Sequence, residues 1–290
     1  MKDFKGIYAA LLTPFNEDGT INFDSLKLLV ERNIEVGLTG MYVCGSTGES
    51  VMMSEEERIS ILKFVSEVNA GRTILIAHVG TISTDSACRM AKKAEEYGYD
   101  AVSAVVPFYF SFSSEAIKGY YKDILNATEL PMIIYNFPGA NGFGGMLELV
   151  EEMIDNPKLI GVKHTSANLF DLERFKHLSK PLVVYNGFDE MLIGGLSMGA
   201  DGGIGSTYNF MGSLILDIYN AFNRGDLKSA QEYQTKANRI IDRMIPYGVF
   251  AMEKAILTLQ GIPMGNCRKP FMPLSDAGWE EAKRIVEELK

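Results

Sequence analysis

The chain has 290 residues, a formal net charge of −9, and a composition that is 47% hydrophobic and 22% charged. It can therefore bury one large core, and its negative charge argues against a nucleic-acid partner, which would select a basic face. Three scattered cysteines and three histidines are too few for a disulfide framework or a metal centre, so we expect no metal or cofactor. The sequence has no signal-peptide pattern and no apolar run of membrane-spanning length. We therefore expect a cytoplasmic protein with no membrane partner.

In chain order, short apolar runs alternate with amphipathic segments. The first run ends at Thr13-Pro14, the first amphipathic segment ends before Gly37, and a capping box from Ser54 to Glu57 opens the second. This alternation predicts strands at residues 6–12, 41–43, 73–78, 101–106, 131–135, 159–163, 182–186 and 202–204. It predicts helices at residues 23–36, 54–65, 85–96, 114–125, 146–154, 169–178, 190–198, 214–223, 227–245, 250–260 and 279–289.

Eight strand–helix units without a break in composition are typical of an α/β protein with a parallel sheet. Their number and total length favour a closed (β/α)8 TIM barrel, whose usual size is about 250 residues. A doubly wound open sheet would normally carry a glycine-rich loop after its first strand, and none follows Leu12. We therefore predict a barrel over residues 1–213 and a C-terminal helical extension of the same domain over residues 214–290.

The apolar run 159–163 ends on a lysine, Lys163. A lysine at the end of a strand buried on both faces is partly desolvated, which favours the neutral amine and makes it able to form a Schiff base with a carbonyl. Most strand-end lysines instead extend to the surface as ordinary charges. The residues at the other strand ends must decide between these two interpretations.

Active sites of this fold lie at the carboxyl ends of the strands. Turn capping could explain some of the polar residues at these ends, and an acidic first helical turn could explain others. Their common position nevertheless favours a site. The residues are Ser46 and Thr47 after the second strand, Tyr109 after the fourth, Tyr135 in the fifth, Lys163 in the sixth, Asp189 and Glu190 after the seventh, and Gly205, Ser206 and Thr207 after the eighth.

Three motifs in these positions resemble the signatures of the N-acetylneuraminate lyase/dihydrodipicolinate synthase family. They are Gly45-Ser46-Thr47-Gly48-Glu49, Tyr135-Asn136-Phe137-Pro138 and Gly161-Val162-Lys163-His164-Thr165-Ser166. Residues 9–15, 185–190, 202–209 and 267–271 are also similar, so the resemblance spans nearly the whole chain. It is strongest to the branch of the family that cleaves sialic acid.

The resemblance implies a class I aldolase, without metal, that cleaves N-acetylneuraminate reversibly to N-acetylmannosamine and pyruvate. Lys163 would form the Schiff base, and Tyr135 would relay the proton of the C4 hydroxyl. Ser46 and Thr47 would hold the pyruvyl carboxylate, and Tyr109 would enter a neighbouring subunit's site in a homotetramer. The implied sugar-binding positions are Thr165, Gly187, Asp189, Glu190, Gly205, Ser206 and Phe250.

Two other functions remain open. The dihydrodipicolinate synthase branch resembles GTTGE at the second strand and carries an arginine soon after the YxxP proline, whereas this chain has Ser46 and no arginine in its glycine-rich residues 139–145. An aldehyde with its own carboxylate would need that cation. A barrel that only senses 2-oxo acids is the second alternative, although a sensor has little need for both Lys163 and Tyr135.

Overall fold

The computed structural model describes residues 2–289, apart from the side chain of Asn141; Met1 and Lys290, the outer limits of the predicted domain, lie outside the described residues. Eight parallel strands close into a barrel in chain order, which confirms the predicted TIM barrel. The strands are β1 Gly6–Ala10, β2 Gly40–Val43, β3 Ile74–His78, β4 Ala101–Val105, β5 Met132–Asn136, β6 Leu159–His164, β7 Val183–Asn186 and β8 Gly202–Gly205.

Helices surround the barrel and form the C-terminal segment. Many begin at a side chain that accepts a backbone N–H, and the capping box predicted at Ser54 is present with both of its hydrogen bonds. The helices are α1 Phe23–Glu35, α2 Glu55–Asn69, α3 Thr84–Glu96, α4 Ser114–Ala127, α5 Pro138–Asn141, α6 Met146–Met153, α7 Leu169–Lys176, α8 Leu192–Ser197, α9 Tyr208–Asn223, α10 Leu227–Met244, α11 Val249–Leu259 and α12 Asp276–Glu288.

The buried apolar residues form two groups, one between the strands and the helices and one inside the barrel. The inner group includes Tyr8, Tyr42, Ile133 and Tyr185, so the barrel is filled by side chains and is not a pore. No helix within residues 2–289 is long and apolar enough to cross a membrane.

Two predicted helices near the end of the barrel have the wrong bounds. The helix predicted at 190–198 is a 3₁₀ turn over Asp189–Met191 followed by α8, which contains only Leu192–Ser197. The helix predicted from Leu214 begins at Tyr208, and Met211 inside it has a non-helical backbone (φ −124°, ψ 33°) that kinks the helix. The predicted division between residues 213 and 214 thus falls inside α9, and the division into barrel and extension stays a prediction.

A buried ion pair connects the C-terminal helices to the turn after β2. The Lys254 ammonium of α11 pairs with the Glu49 carboxylate, and both side chains are almost fully buried. The second Glu49 oxygen accepts the backbone N–H of Arg268 at 2.7 Å. The segment 254–268 is therefore anchored beside the turn that carries Ser46 and Thr47.

Candidate active site

Strand register places Lys163 between two inward-facing tyrosines. Lys163 of β6 is the partner of Tyr135 in β5 on one side and of Tyr185 in β7 on the other. Its side chain is 5% exposed, and its Nζ lies 4.3 Å from the ring centroid of Tyr135 and 4.4 Å from that of Tyr42. The sequence predicted the position of the lysine at the strand end, and the barrel supplies its aromatic surroundings.

These surroundings change the protonation of Lys163. Burial lowers the pKa of its ammonium to about 7, and the Asp189 carboxylate opposes that shift by favouring the charged form. About half of the amine is then neutral near pH 7, whereas a solvent-exposed lysine with a pKa of about 10.4 is almost wholly protonated. A neutral, buried amine at the carboxyl end of a barrel strand can attack a carbonyl carbon.

Tyr135 lies beside this amine and stays protonated. Burial raises the pKa of its phenol to about 12, while the hydroxyls of Thr165 and then Ser46 oppose the shift. Its ring stacks on Phe137 with centroids 5.7 Å apart. Within residues 2–289, Thr165 Oγ1 has no partner in a hydrogen bond of good geometry. A neutral phenol next to two hydroxyl groups can donate a proton and take another back.

The Asp189 carboxylate is held at the start of the turn after β7. Its Oδ2 accepts the backbone N–H of Thr207 at 2.8 Å and the Thr207 hydroxyl at 2.7 Å. Burial raises the pKa of Asp189 to about 6, against the effect of both Thr207 hydrogen bonds. Near pH 7 the carboxylate is therefore mostly ionised and can accept hydrogen bonds from hydroxyl groups.

The two predicted site glycines provide space for predicted polar side chains. A Cβ on Gly205 would lie 1.9 Å from Oδ1 of Asp189, and a Cβ on Gly187 would lie 1.9 Å from Oγ1 of Thr165. Atoms that close overlap, so any larger residue at either position would displace the polar group. Gly187 and Gly205 therefore shape the site because they lack a side chain, which leaves room for Thr165 Oγ1 and Asp189 Oδ1.

The other predicted site residues differ in how deeply they are buried. Ser46 is exposed and Thr47 buried in the 3₁₀ turn Ser46–Gly48. Glu190 is exposed, Ser206 is half-buried, and Phe250 is half-buried with its ring edge-on to Phe271. Tyr109 is 88% exposed on the loop after β4, and its ring packs on Phe110. The structure brings Lys163, Tyr135, Thr165 and Asp189 together and leaves Tyr109 outside that group.

Sequence reasoning missed three residues of the site. Tyr42 packs on the Lys163 ammonium from across the barrel, Phe137 supports the Tyr135 ring, and Glu253 of α11 is buried near Ser206 and Asp189. Phe137 already lay in the YxxP motif. Tyr42 could have been noticed in the sequence as an aromatic residue with a polar hydroxyl in a short buried strand. Glu253 could have been noticed as an acidic residue in an otherwise apolar helix segment.

The fold and the site together define a class: a (β/α)8 barrel with a desolvated lysine and an adjacent tyrosine at the carboxyl ends of neighbouring strands. The chain belongs to the dihydrodipicolinate synthetase family, whose model matches residues 3–289. The predicted family is therefore confirmed.

Several relatives and solved structures are similar to this protein over almost the entire chain. An N-acetylneuraminate lyase from Rhizobium meliloti is 42% identical over 282 residues, which cover 97% of this chain and 94% of the relative. A crystal structure of CdNal from Clostridium difficile in complex with mannosamine is 36% identical, with a TM-score of 0.97 and full coverage of both chains. The N-acetylneuraminate lyase from Fusobacterium nucleatum is 37% identical, with a TM-score of 0.94 and 98% coverage of each chain.

Proposed function

We propose that the protein is a class I aldolase that cleaves N-acetylneuraminate reversibly to N-acetylmannosamine and pyruvate through a Schiff base on Lys163. The observation that carries this proposal is the buried Lys163 amine, with a pKa of about 7, against the Tyr135 ring. The relatives named N-acetylneuraminate lyase support the choice of substrate, since they match nearly the whole chain at 41–42% identity.

The first step is addition of the neutral Lys163 amine to the keto carbon of the open-chain sugar acid. The carbinolamine then loses water to leave a protonated imine, and the departing hydroxyl needs a proton. Tyr135 would give it, since its phenol is neutral and its ring lies beside the amine. Burial of the pair limits competition by water for the reacting atoms.

Cleavage follows from the electron demand of the imine. The C4 hydroxyl loses its proton, the C3–C4 bond breaks, and its electron pair moves to the imine nitrogen to give an enamine and an aldehyde. Tyr135, with its neighbours Thr165 and Ser46, relays the C4 proton. Protonation of the enamine at C3 and hydrolysis of the imine release pyruvate and regenerate Lys163.

Groups on both sides of the lysine suit the two ends of the substrate. The Gly45–Gly48 turn, with Ser46 and Thr47, would hold the pyruvyl carboxylate through hydroxyl and backbone N–H groups. Asp189 would bind hydroxyls of the sugar, since a carboxylate can accept from two neighbouring hydroxyl groups. Thr165, Gly187, Glu190, Gly205, Ser206 and Phe250 complete the proposed sugar-binding region.

We also propose that the protein is a homotetramer in which Tyr109 completes a neighbouring subunit's site, and that it acts in the cytoplasm. Exposed aromatic rings at Tyr109, Phe110 and Phe112 are the support for an interface, because a monomer seldom leaves such a cluster in water. Three free cysteines are typical of a reducing compartment. A fully active monomer by light scattering at assay concentration would contradict the tetramer.

A coupled assay tests the function. Incubation with N-acetylneuraminate, lactate dehydrogenase and NADH should consume NADH as pyruvate is released, and Lys163→Arg should not. An aldehyde bearing its own carboxylate, offered with pyruvate, tests the dihydrodipicolinate synthase alternative. Condensation with that aldehyde and no cleavage of N-acetylneuraminate would overturn the proposal, and binding of pyruvate without any turnover would favour the sensor.

A further inference from the structure

A buried glutamate of the C-terminal segment adjoins the proposed sugar-binding region. Glu253 of α11 is 0% exposed, and within residues 2–289 neither of its carboxyl oxygens has a partner in a hydrogen bond of good geometry. Buried carboxyl groups are nearly always paired, so an unpaired one requires an explanation. The proposed reaction makes no use of it.

Four groups interact electrostatically with the Glu253 carboxyl. The Ser206 hydroxyl, just after β8, lies close enough to favour its ionised form, and Asp189 disfavours that form through its own charge. Lys254 is the next residue in α11, and the charge of Glu253 also raises the pKa of the Cys267 thiol, which lies in the segment before α12. Lys254 is already paired with Glu49, so it does not neutralise a second carboxylate at full strength.

Glu253 is therefore a neutral acid near pH 7. Burial is the main cause and raises the pKa of Glu253 to about 8, while the Ser206 hydroxyl and Lys254 oppose the shift and Asp189 adds to it. A protonated carboxyl group has one O–H to donate, whereas an ionised one can only accept. The direction of any hydrogen bond with Ser206 thus depends on this proton.

We propose that Glu253 is a positioning residue that sets the polarity of the Ser206 hydroxyl. The neutral acid donates its O–H to Ser206 Oγ, which leaves the Ser206 O–H free to donate into the site. An ionised Glu253 accepts the Ser206 proton instead and leaves only oxygen lone pairs facing the site. This inference rests on the proposed function, because the group that Ser206 faces is taken to be the sugar.

Near pH 7 this side of the site therefore offers the substrate one hydrogen-bond donor, Ser206, and one acceptor, Asp189. Asp189 is mostly ionised near pH 7 and accepts hydrogen bonds, whereas Ser206 with a neutral Glu253 behind it donates. We therefore infer that the substrate presents an acceptor oxygen, such as an amide carbonyl or a hydroxyl oxygen, to Ser206. A polyol that offers Ser206 only a donor would bind more weakly.

The test compares Glu253→Gln with the wild-type protein across pH. A glutamine amide has the shape of the neutral acid and donates to Ser206 at every pH. From about pH 7 to about pH 9, the KM for N-acetylneuraminate should rise about three- to tenfold in the wild type, the range expected for one lost hydrogen bond, and less than about twofold in E253Q. Both proteins share Asp189, Lys163 and Tyr135, so their difference isolates residue 253.

Three further readouts decide the interpretation. Borohydride trapping of pyruvate on Lys163 should have the same pH profile in both proteins, because Glu253 faces the sugar end. Glu253→Leu should raise KM at every pH, and E253Q should restore it. The infrared spectrum of the wild type near pH 7 should contain a protonated carboxyl band that E253Q lacks. The inference would be overturned if the KM of wild type and E253Q depended on pH in the same way, or if the carboxyl band were absent. If the wild type did not cleave N-acetylneuraminate at all, the proposed function would be overturned instead.

Discussion

Replacement of Asp189 by asparagine removes one negative charge from the sugar end of the site while keeping its shape. In the wild type, Oδ2 is occupied by both Thr207 hydrogen bonds, whereas Oδ1 receives none from residues 2–289 and lies against Gly205. We therefore expect Oδ1 to accept from the substrate. Loss of one charge-assisted hydrogen bond costs about 1.5–3 kcal/mol, so kcat/KM for N-acetylneuraminate should fall by roughly one to two decades.

The imine chemistry should survive this substitution. Asp189 raises the pKa of Lys163, so its neutralisation lowers that pKa further and leaves more neutral amine near pH 7. Trapping of pyruvate on Lys163 by borohydride should then proceed at least as fast as in the wild type. The assays are the coupled NADH measurement for cleavage and intact-protein mass spectrometry for trapping.

A matched variant controls for the loss of charge alone. Asp217 is an exposed carboxylate on α9, and D217N should leave both readouts within about twofold. If D189N lost trapping and cleavage in equal proportion, Asp189 would support the barrel and not the sugar. If D189N cleaved N-acetylneuraminate as well as the wild type, Asp189 would not bind the sugar.

The remaining predictions concern the proton relay, the buried amine and the anchored C-terminal segment. Tyr135→Phe should lower kcat by about two to four decades and should also slow pyruvate trapping, because the same phenol is proposed to protonate the departing hydroxyl; a kcat within a few-fold of wild type would place the relay elsewhere. Lys163→Met should raise the melting temperature near pH 7. The pKa of Lys163 is about 7 in the folded state and higher in the unfolded state, so this lysine destabilises the fold at every pH below its unfolded pKa, and most strongly below about pH 7. An unchanged or lower melting temperature would contradict this. Lys254→Ala should lower the free energy of unfolding in urea by about 3–5 kcal/mol, because Glu49 is left buried and unpaired. Lys93→Ala, which removes an exposed pair with Glu96, should lower it by at most about 1 kcal/mol. Equal losses in the two variants would refute a special role for the buried pair.

Much of the barrel was predictable from local patterns. The run ending at Lys163 has the length and apolar character of a strand buried on both faces, and β6 indeed covers Leu159–His164. The capping box at Ser54 also depends only on residues that are close in sequence. Local patterns therefore located most strands, while the predicted start of α9 failed where Met211 departs from helical geometry.

The surroundings of the reactive groups were less accessible to sequence reasoning. Tyr42 contacts Lys163 from a strand 121 positions earlier in the chain, and only closure of the barrel brings the two together. Glu253 comes from a helix beyond the last strand, so strand-end reasoning could not place it beside Ser206. The structure also supplies a physical reason for Gly205, which its position after the eighth strand indicated, and for Gly187, which the sequence analysis included only through the family resemblance.

The central claim is that Lys163 is the residue that forms an imine with pyruvate. The most direct measurement is incubation with pyruvate and borohydride, followed by peptide mass spectrometry across a pH series. We predict one reduced adduct, on Lys163, whose rate of formation falls about tenfold per pH unit below about pH 7, where the amine is protonated. Lys163→Arg should abolish it, because a guanidinium stays charged. An adduct on another lysine, or none at any pH, would contradict the account.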